Sequence, residues 1–112
     1  MSHKEILKQL NQPSKELRDQ IPAVFEGYGE LNKAALSDGA LDAKTKELIA
    51  LAIAVTKQCD GCIASHGRGA ARQGASAEEV AEAMGVAILM NGGPGTVHAP
   101  RAFEAFQEFA DR

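Results

Sequence analysis

Two cysteines lie three positions apart in this sequence, at Cys59 and Cys62. If a helix begins at this pair, its first turn presents unpaired N–H groups and partial positive charge, which favour a thiolate over a thiol. The thiolate is the nucleophilic form of cysteine, and a second cysteine at this spacing can trap an oxidised first one as a disulfide. The pair is therefore a candidate redox centre.

A histidine and a glutamate complete the candidate site. His66 follows Cys62 by four residues, one helical turn, so its imidazole can accept the Cys62 proton directly or through a water. Glu47 precedes Cys59 by twelve residues and can fold back over His66 from the preceding helix. A carboxylate bonded to one ring nitrogen fixes the tautomer and raises the basicity of the other. The sequence predicts a proton relay from Glu47 through His66 to Cys62.

The composition is that of one small globular protein. A chain of 112 residues has room for one core, and a hydrophobic fraction of 45% with 24% charged residues is typical of a soluble domain. The aromatic fraction is only 4%, so each residue buries little apolar surface and a homo-oligomer is expected. The net charge of −3 gives no indication of the positively charged surface that binds nucleic acid.

The sequence also carries no signal for export or for a membrane. The first residues are polar and lack the apolar segment of a secretory signal. The longest apolar run, residues 48–55, is far too short to cross a bilayer. A cytoplasmic location is therefore expected. Because stable structural disulfides are uncommon there, the cysteine pair is interpreted as catalytic or metal-binding.

Helical patterning extends along the chain, and no segment reads as a strand. Ser2 caps a short first helix that ends before residues 11–13, where Pro13 interrupts the pattern, and His3 is expected to be disordered. Further helices are predicted over residues 15–20, 22–36, 42–58, 60–73, 77–91 and 97–110, with residues 92–95 as a loop.

The predicted fold class is all-α, a single-domain helical bundle of about six helices over residues 1–112. Residues 1–38 form N-terminal helices, and residues 41–110 form the core. Asp42 is the expected N-cap of the third helical region, and residues 76–79 form a capping box. The segment 48–55 is apolar on every face, which places it between the rest of the protomer and neighbouring subunits.

The spacing Glu47-x11-Cys59-x2-Cys62-x3-His66 resembles the signature of the alkylhydroperoxidase D-like branch of the carboxymuconolactone decarboxylase superfamily. The resemblance covers residues 41–109. It implies an all-α fold and assembly into trimers or hexamers. In the peroxidase branch the second cysteine forms the sulfenic acid and the first resolves it. The resemblance thus implies that Cys62 is peroxidatic, that Cys59 is resolving, and that His66 and Glu47 relay protons.

The sequence departs from alkylhydroperoxidase D itself at one informative position. That protein has a second histidine directly before the second cysteine, where this chain has Gly61. The chain is also shorter, as expected for a single copy of the helical repeat. The decarboxylase branch lacks the cysteine pair, so the presence of Cys59 and Cys62 argues against a lyase.

These features predict an oxidoreductase, a thiol-dependent peroxidase or disulfide reductase that acts on a small hydroperoxide or disulfide. An external dithiol would supply electrons, and no metal or organic cofactor is needed. The alternative enzyme is a lyase for a γ-carboxymuconolactone-like acid, with His66 as acid and base. A third alternative is a non-enzymatic redox-sensing or metal-binding oligomer, although a zinc site usually requires a second Cys/His pair.

Overall fold

The computed structural model describes residues 1–111, and within this range it is built from helices without strands. The predicted all-α fold is confirmed. The helices are α1 (His3–Gln20), α2 (Pro22–Leu36), α3 (Ala43–Lys57), α4 (Asp60–Arg72), α5 (Ala77–Asn91) and α6 (Gly93–Ala110). None of the helices in the described range is long and apolar enough to cross a membrane.

Helices α3 to α6 enclose the hydrophobic core. Its buried members are mostly small: Leu51, Ala54, Val55, Ile63, Ala70, Ala71, Val80, Met84, Ala87, Ala99, Ala102, Ala105 and Phe106. Because alanine side chains keep helices close together, α4 and α6 approach to within contact of their backbones. A Cβ atom at Gly67 would lie 2.9 Å from the Ala105 Cβ and 3.1 Å from the Phe106 nitrogen, so only glycine fits at this crossing.

The two predicted N-caps that frame the core are confirmed. The Asp42 carboxylate accepts the Thr45 N–H at 2.8 Å at the start of α3. At the start of α5, the Ser76 hydroxyl accepts the Glu79 N–H at 3.1 Å, and the Glu79 carboxylate accepts the Ser76 N–H at 2.8 Å. Each contact satisfies an N–H group that the helix itself leaves unpaired. These caps explain why the starts of α3 and α5 can be predicted from the local sequence.

The prediction of two short helices before residue 20 is wrong, because α1 runs without a break through Pro13. Proline removes one backbone hydrogen bond, to the carbonyl of Gln9. Both Pro13 and Gln9 are exposed, so water can satisfy that carbonyl. The remaining cost is offset by the packing of α1 against α4 and α6.

His3 is also placed differently from the prediction of disorder. It is only 6% exposed, and its Nε2 lies 2.9 Å from the Glu104 carboxylate of α6. The Glu108 carboxylate accepts the N–H groups of His3 and Lys4 at 3.1 and 3.0 Å. Burial raises the pKa of Glu108, but these two N–H groups outweigh it and hold that pKa below its ordinary value. A carboxylate thus fixes the N-terminus of α1 to α6.

The predicted loop over residues 92–95 is wrong as well, because α6 begins at Gly93. Gly92 alone joins α5 to α6, with a φ of 63° that a residue with a side chain rarely adopts. Pro94 stands in the first turn of α6, where its missing N–H has no intrahelical partner to lose. A Cβ atom at Gly95 would lie 2.9 Å from the Ile88 Cα, so glycine also permits the tight α5–α6 crossing.

Helix α2 packs little against the rest of the protomer. None of its residues is buried, and Val24, Tyr28 and Leu31 share one face at helical spacing with 62%, 66% and 64% exposure. The apolar segment of α3 is also covered on one side only, since Leu51 is buried whereas Ile53 is exposed. The protomer therefore leaves two apolar helix faces in contact with solvent.

Candidate active site

The cysteine pair lies at the junction of α3 and α4, which are joined by two residues. Gln58 ends α3 in the left-handed region with a φ of 53°, and its N–H bonds back to the carbonyls of Ala54 and Val55. Cys59 follows as the N-cap of α4. This sharp reversal folds α4 back along α3, so that residues near the start of α4 face the middle of α3.

Cys59 and Cys62 form a disulfide, with their Cα atoms 5.2 Å apart. The Cys59 Sγ also accepts the Cys62 N–H at 3.2 Å, in the position of an N-cap side chain. The two thiol positions differ in access, since Cys59 is half-buried and Cys62 is exposed. The helix N-terminus thus contacts the Cys59 sulfur, whereas the Cys62 sulfur is open to a molecule in solution.

Glu47 and His66 meet across the α3–α4 interface. The Glu47 carboxylate lies 2.8 Å from the His66 Nδ1, and Glu47 is only 9% exposed. An ionised Glu47 accepts the Nδ1–H, which leaves Nε2 as the basic nitrogen of the ring. Within residues 1–111, Nε2 has no hydrogen-bond partner. The ring is therefore oriented by Glu47 and has a nitrogen available for proton transfer.

A glycine makes room for this pair, and sequence reasoning missed it. A Cβ atom at Gly69 would collide with the Glu47 carboxylate. Gly69 lies three residues beyond His66, one helical turn away on α4, so the space that it leaves is occupied by the carboxylate that holds the imidazole. The signal in the sequence was a glycine inside a helix, a position where glycine costs about 1 kcal/mol relative to alanine.

His66 separates two cavities. The first, about 230 Å³, is bounded by Cys62 and His66 together with the α3 residues Ala50, Ile53, Ala54 and Lys57. The second, about 250 Å³, lies on the Glu47 side of the ring, and its lining is polar apart from Leu36 and Gly69. A small molecule in the first cavity contacts the exposed sulfur and the imidazole at once. His66 thus borders the cavity of Cys62 and also contacts Glu47, which lines the second cavity.

Helix α1 occupies the space beside Gly61. A Cβ atom at Gly61 would lie 3.2 Å from the Leu10 Cδ1 of α1. A histidine at this position, as in alkylhydroperoxidase D, would require Leu10 to move. The departure at Gly61 therefore has a packing reason, because the N-terminal helix covers this side of the cysteine pair.

The described residues offer no cluster of three or more His, Cys, Asp or Glu side chains that could hold a metal ion. Glu47 and His66 are paired with each other, and Cys59 and Cys62 are joined covalently. The four site residues therefore form two adjacent pairs. Such an arrangement can exchange electrons at sulfur and a proton at nitrogen.

Comparison with known proteins places this geometry in a family. Residues 22–105 match the Carboxymuconolactone decarboxylase family. A carboxymuconolactone decarboxylase family protein from Legionella pneumophila, crystallised in its apo form, superposes with a TM-score of 0.93 at 43% identity, and the match covers 97% of each chain. An uncharacterized protein from Cupriavidus necator is 40% identical over 100 residues, which are 89% of this chain and 88% of that protein.

A more distant structure extends the comparison. A carboxymuconolactone decarboxylase family protein from Thermotoga maritima, for which a role in the antioxidative response has been suggested, superposes with a TM-score of 0.69 at 34% identity. The match covers 77% of this chain and 89% of that protein. The family match includes α2 to α5 and most of α6, and with them every residue of the candidate site. The chain belongs to the carboxymuconolactone decarboxylase family.

Proposed function

We propose that this protein is a thiol-dependent peroxidase that reduces small hydroperoxides through Cys62 and Cys59. The observation that carries the proposal is that Cys62 and His66 line one cavity while Glu47 holds His66 from the other side. This arrangement supplies a nucleophile, a base and a group that orients the base. The antioxidative role suggested for the T. maritima relative supports the same class of chemistry.

In the first step, the His66 Nε2 takes the proton of the Cys62 thiol, and the thiolate attacks the terminal oxygen of the hydroperoxide. The O–O bond breaks, Cys62 becomes a sulfenic acid, and the alkoxide leaves as an alcohol with the proton from His66. Sulfur gives up two electrons, and the peroxide accepts them. Glu47 stabilises the imidazolium while it holds the proton.

In the second step, the Cys59 thiolate attacks the Cys62 sulfur. The S–O bond breaks, hydroxide leaves and is protonated to water, and the disulfide forms. An external dithiol then attacks the exposed Cys62 sulfur, and Cys59 leaves as a thiolate. The Cys62 N–H on the Cys59 sulfur stabilises that leaving group, which speeds the exchange.

The balance of this cycle is one hydroperoxide and one dithiol consumed, and one alcohol, one water and one donor disulfide formed. No metal or organic cofactor takes part. The donor is a dithiol of a reducing compartment such as the cytoplasm. The same two cysteines would also exchange with a small disulfide substrate, because each step at Cys62 is a thiolate attack on an electrophilic sulfur or oxygen.

Fully reduced protein is expected to lose both thiols for each equivalent of tert-butyl hydroperoxide consumed. The chain has only two cysteines, so a thiol titration should fall from two per chain to none as an equal amount of tert-butanol appears. Dithiothreitol should restore the thiols and sustain many turnovers. Peroxide consumption no faster than that of dithiothreitol alone would contradict the proposal.

The proposed active form is a homo-oligomer, a trimer or a hexamer. The support is the apolar face of α2 formed by Val24, Tyr28 and Leu31, which the protomer leaves uncovered. Helix α5 also carries exposed apolar residues, with Leu89 at 79% exposure. Isolated apolar residues are common on surfaces, but contiguous faces of this kind mark contacts between proteins.

The mass in solution is expected to be three or six times the chain mass of 11.8 kDa at micromolar concentration. Leu31→Asp should reduce that mass, because it places a charge in the apolar face of α2. Lys33→Asp, an exposed position on the same helix, is the matched control and should leave the mass unchanged. Light scattering measures both, and a wild-type mass of one chain would refute the assembly.

A further inference from the structure

The cavity on the Glu47 side of His66 carries two arginines that pair with no carboxylate of the described residues. Arg68 and Arg72 lie one turn apart on α4 and both line this cavity of about 250 Å³. Within residues 1–111, neither guanidinium lies within 4.0 Å of an acidic group. Lys44, by contrast, pairs with Glu79 at 2.8 Å.

Two like charges at positions i and i+4 of a helix destabilise it. No acidic residue lies three or four positions from either arginine on α4, so the helix does not compensate them. Neutral hydrogen-bonding residues line the same cavity: Asn32 of α2, Ser65 of α4 and Gln73, the C-cap of α4. Guanidinium groups with neutral donors around them form a site suited to carboxylate or phosphate oxygens.

The charge balance of the cavity selects between these anions. Arg68 and Arg72 bring two positive charges to the cavity, and the Glu47 carboxyl lines the same cavity. A monoanionic carboxylate is therefore repelled by Glu47 less than a dianion is. A phosphate dianion would leave an excess negative charge beside the Glu47 carboxylate.

We propose that this cavity binds the carboxylate of the substrate, so that the preferred hydroperoxides are small organic acids. The inference rests on the proposed function for the reacting end of the molecule. His66 lines both cavities, so a carboxylate bound beside Arg68 and Arg72 lies next to the imidazole that also borders the cavity of Cys62. The proposed substrate reaches around this ring with its hydroperoxide end. Leu36 of α2 lines the same cavity and supplies an apolar contact for the body of the ligand.

A binding experiment without turnover tests the site directly. Oxidised protein is titrated by calorimetry with 4-isopropylbenzoate and with 4-isopropylbenzamide, which have the same shape but differ in charge. The benzoate is expected to bind about tenfold more tightly, because charge-assisted hydrogen bonds are stronger than neutral ones, and added salt should weaken it. Arg68→Gln and Arg72→Gln should each reduce benzoate binding to the level of the amide.

The control is Arg101→Gln, which removes an exposed arginine of α6 that lines a different cavity and should leave benzoate binding unchanged. Equal affinity of wild-type protein for benzoate and amide would overturn the site, as would unchanged benzoate affinity in both arginine variants of α4. Tighter binding of 4-isopropylphenyl phosphate than of the benzoate would contradict the assignment of a monoanion.

Turnover assays test the carboxylate site and the proposed peroxidase activity independently of each other. Cumene hydroperoxide and its 4-carboxylate are compared as substrates, and the carboxylate is expected to have a KM about tenfold lower. Reduction of both hydroperoxides with equal KM would overturn the carboxylate preference while the peroxidase stands. Benzoate binding that depends on Arg68 and Arg72, without reduction of either hydroperoxide, would support the site and contradict the proposed function.

Discussion

Replacing Cys62 by serine is expected to reduce peroxide consumption to the rate of the dithiol donor alone. Cys62 is exposed and shares a cavity with His66, so its loss removes the sulfur that lies in the same cavity as the base. The competing effect is the field of the α4 N-terminus, which favours a thiolate at Cys59 and contributes about 0.3–1 kcal/mol. A positioned base that removes the proton contributes more, typically 10²–10⁴-fold in rate.

Cys59→Ser is the matched variant and should behave differently. Serine is a preferred N-cap, so α4 retains a side-chain acceptor for the Cys62 N–H. The first oxidation of Cys62 should proceed at close to the wild-type rate, but no disulfide can form within the chain. Turnover then depends on direct attack of the donor on the sulfenic acid and should become sensitive to donor concentration. Stopped-flow kinetics measures both phases, and equal loss of the first phase in the two variants would contradict the division of roles.

His66→Ala is expected to slow the oxidation of Cys62 by about 100-fold without changing the thiol count. The variant removes the base but leaves a cavity next to Cys62, and added imidazole should restore part of the rate. Rescue of this kind distinguishes a proton-transfer role from a structural one. The control is His98→Ala on α6, a half-buried histidine that makes no contact with Glu47, and it should retain the wild-type rate.

Two further variants test how Glu47 acts through His66. Glu47→Gln should slow oxidation by roughly tenfold, since it replaces a hydrogen bond to a charged group, which contributes about 1.5–3 kcal/mol, with a neutral one, which contributes about 0.5–1.5 kcal/mol. Gly69→Ala should have a similar effect, because its Cβ would displace the carboxylate while both ionisable groups remain. If Gly69→Ala oxidises at the wild-type rate with an unchanged melting temperature, Glu47 does not position the imidazole.

Local sequence predicted the helices whose ends depend on local groups. The Asp42 cap and the Ser76–Glu79 capping box involve residues three positions apart, so their effect is visible in the sequence. The meeting of Glu47 and His66 was also predictable, because a short connection folds α4 back on α3 and helical spacing sets which residues face each other.

The errors occurred where distant contacts decide the structure. Helix α1 continues through Pro13 because its N-terminus is held by Glu104 and Glu108, about 100 residues away in the sequence. Such contacts outweigh the local tendency of proline to interrupt a helix. The role of Gly69 could not be predicted for the same reason. The space that its missing side chain leaves is filled by the carboxylate of Glu47, a residue of α3. The cavities are lined by residues of several helices, so the sequence of a single helix does not predict them.

The location of the sulfenic acid shows which of the two sulfurs attacks the peroxide. Reduced Cys59→Ser and Cys62→Ser proteins are exposed to one equivalent of tert-butyl hydroperoxide in the presence of dimedone and analysed by mass spectrometry of peptides. We expect a dimedone adduct on Cys62 in the Cys59→Ser protein and little adduct on Cys59 in the Cys62→Ser protein. An adduct mainly on Cys59 would show that the helix N-terminus, and not the Glu47–His66 pair, selects the attacking sulfur.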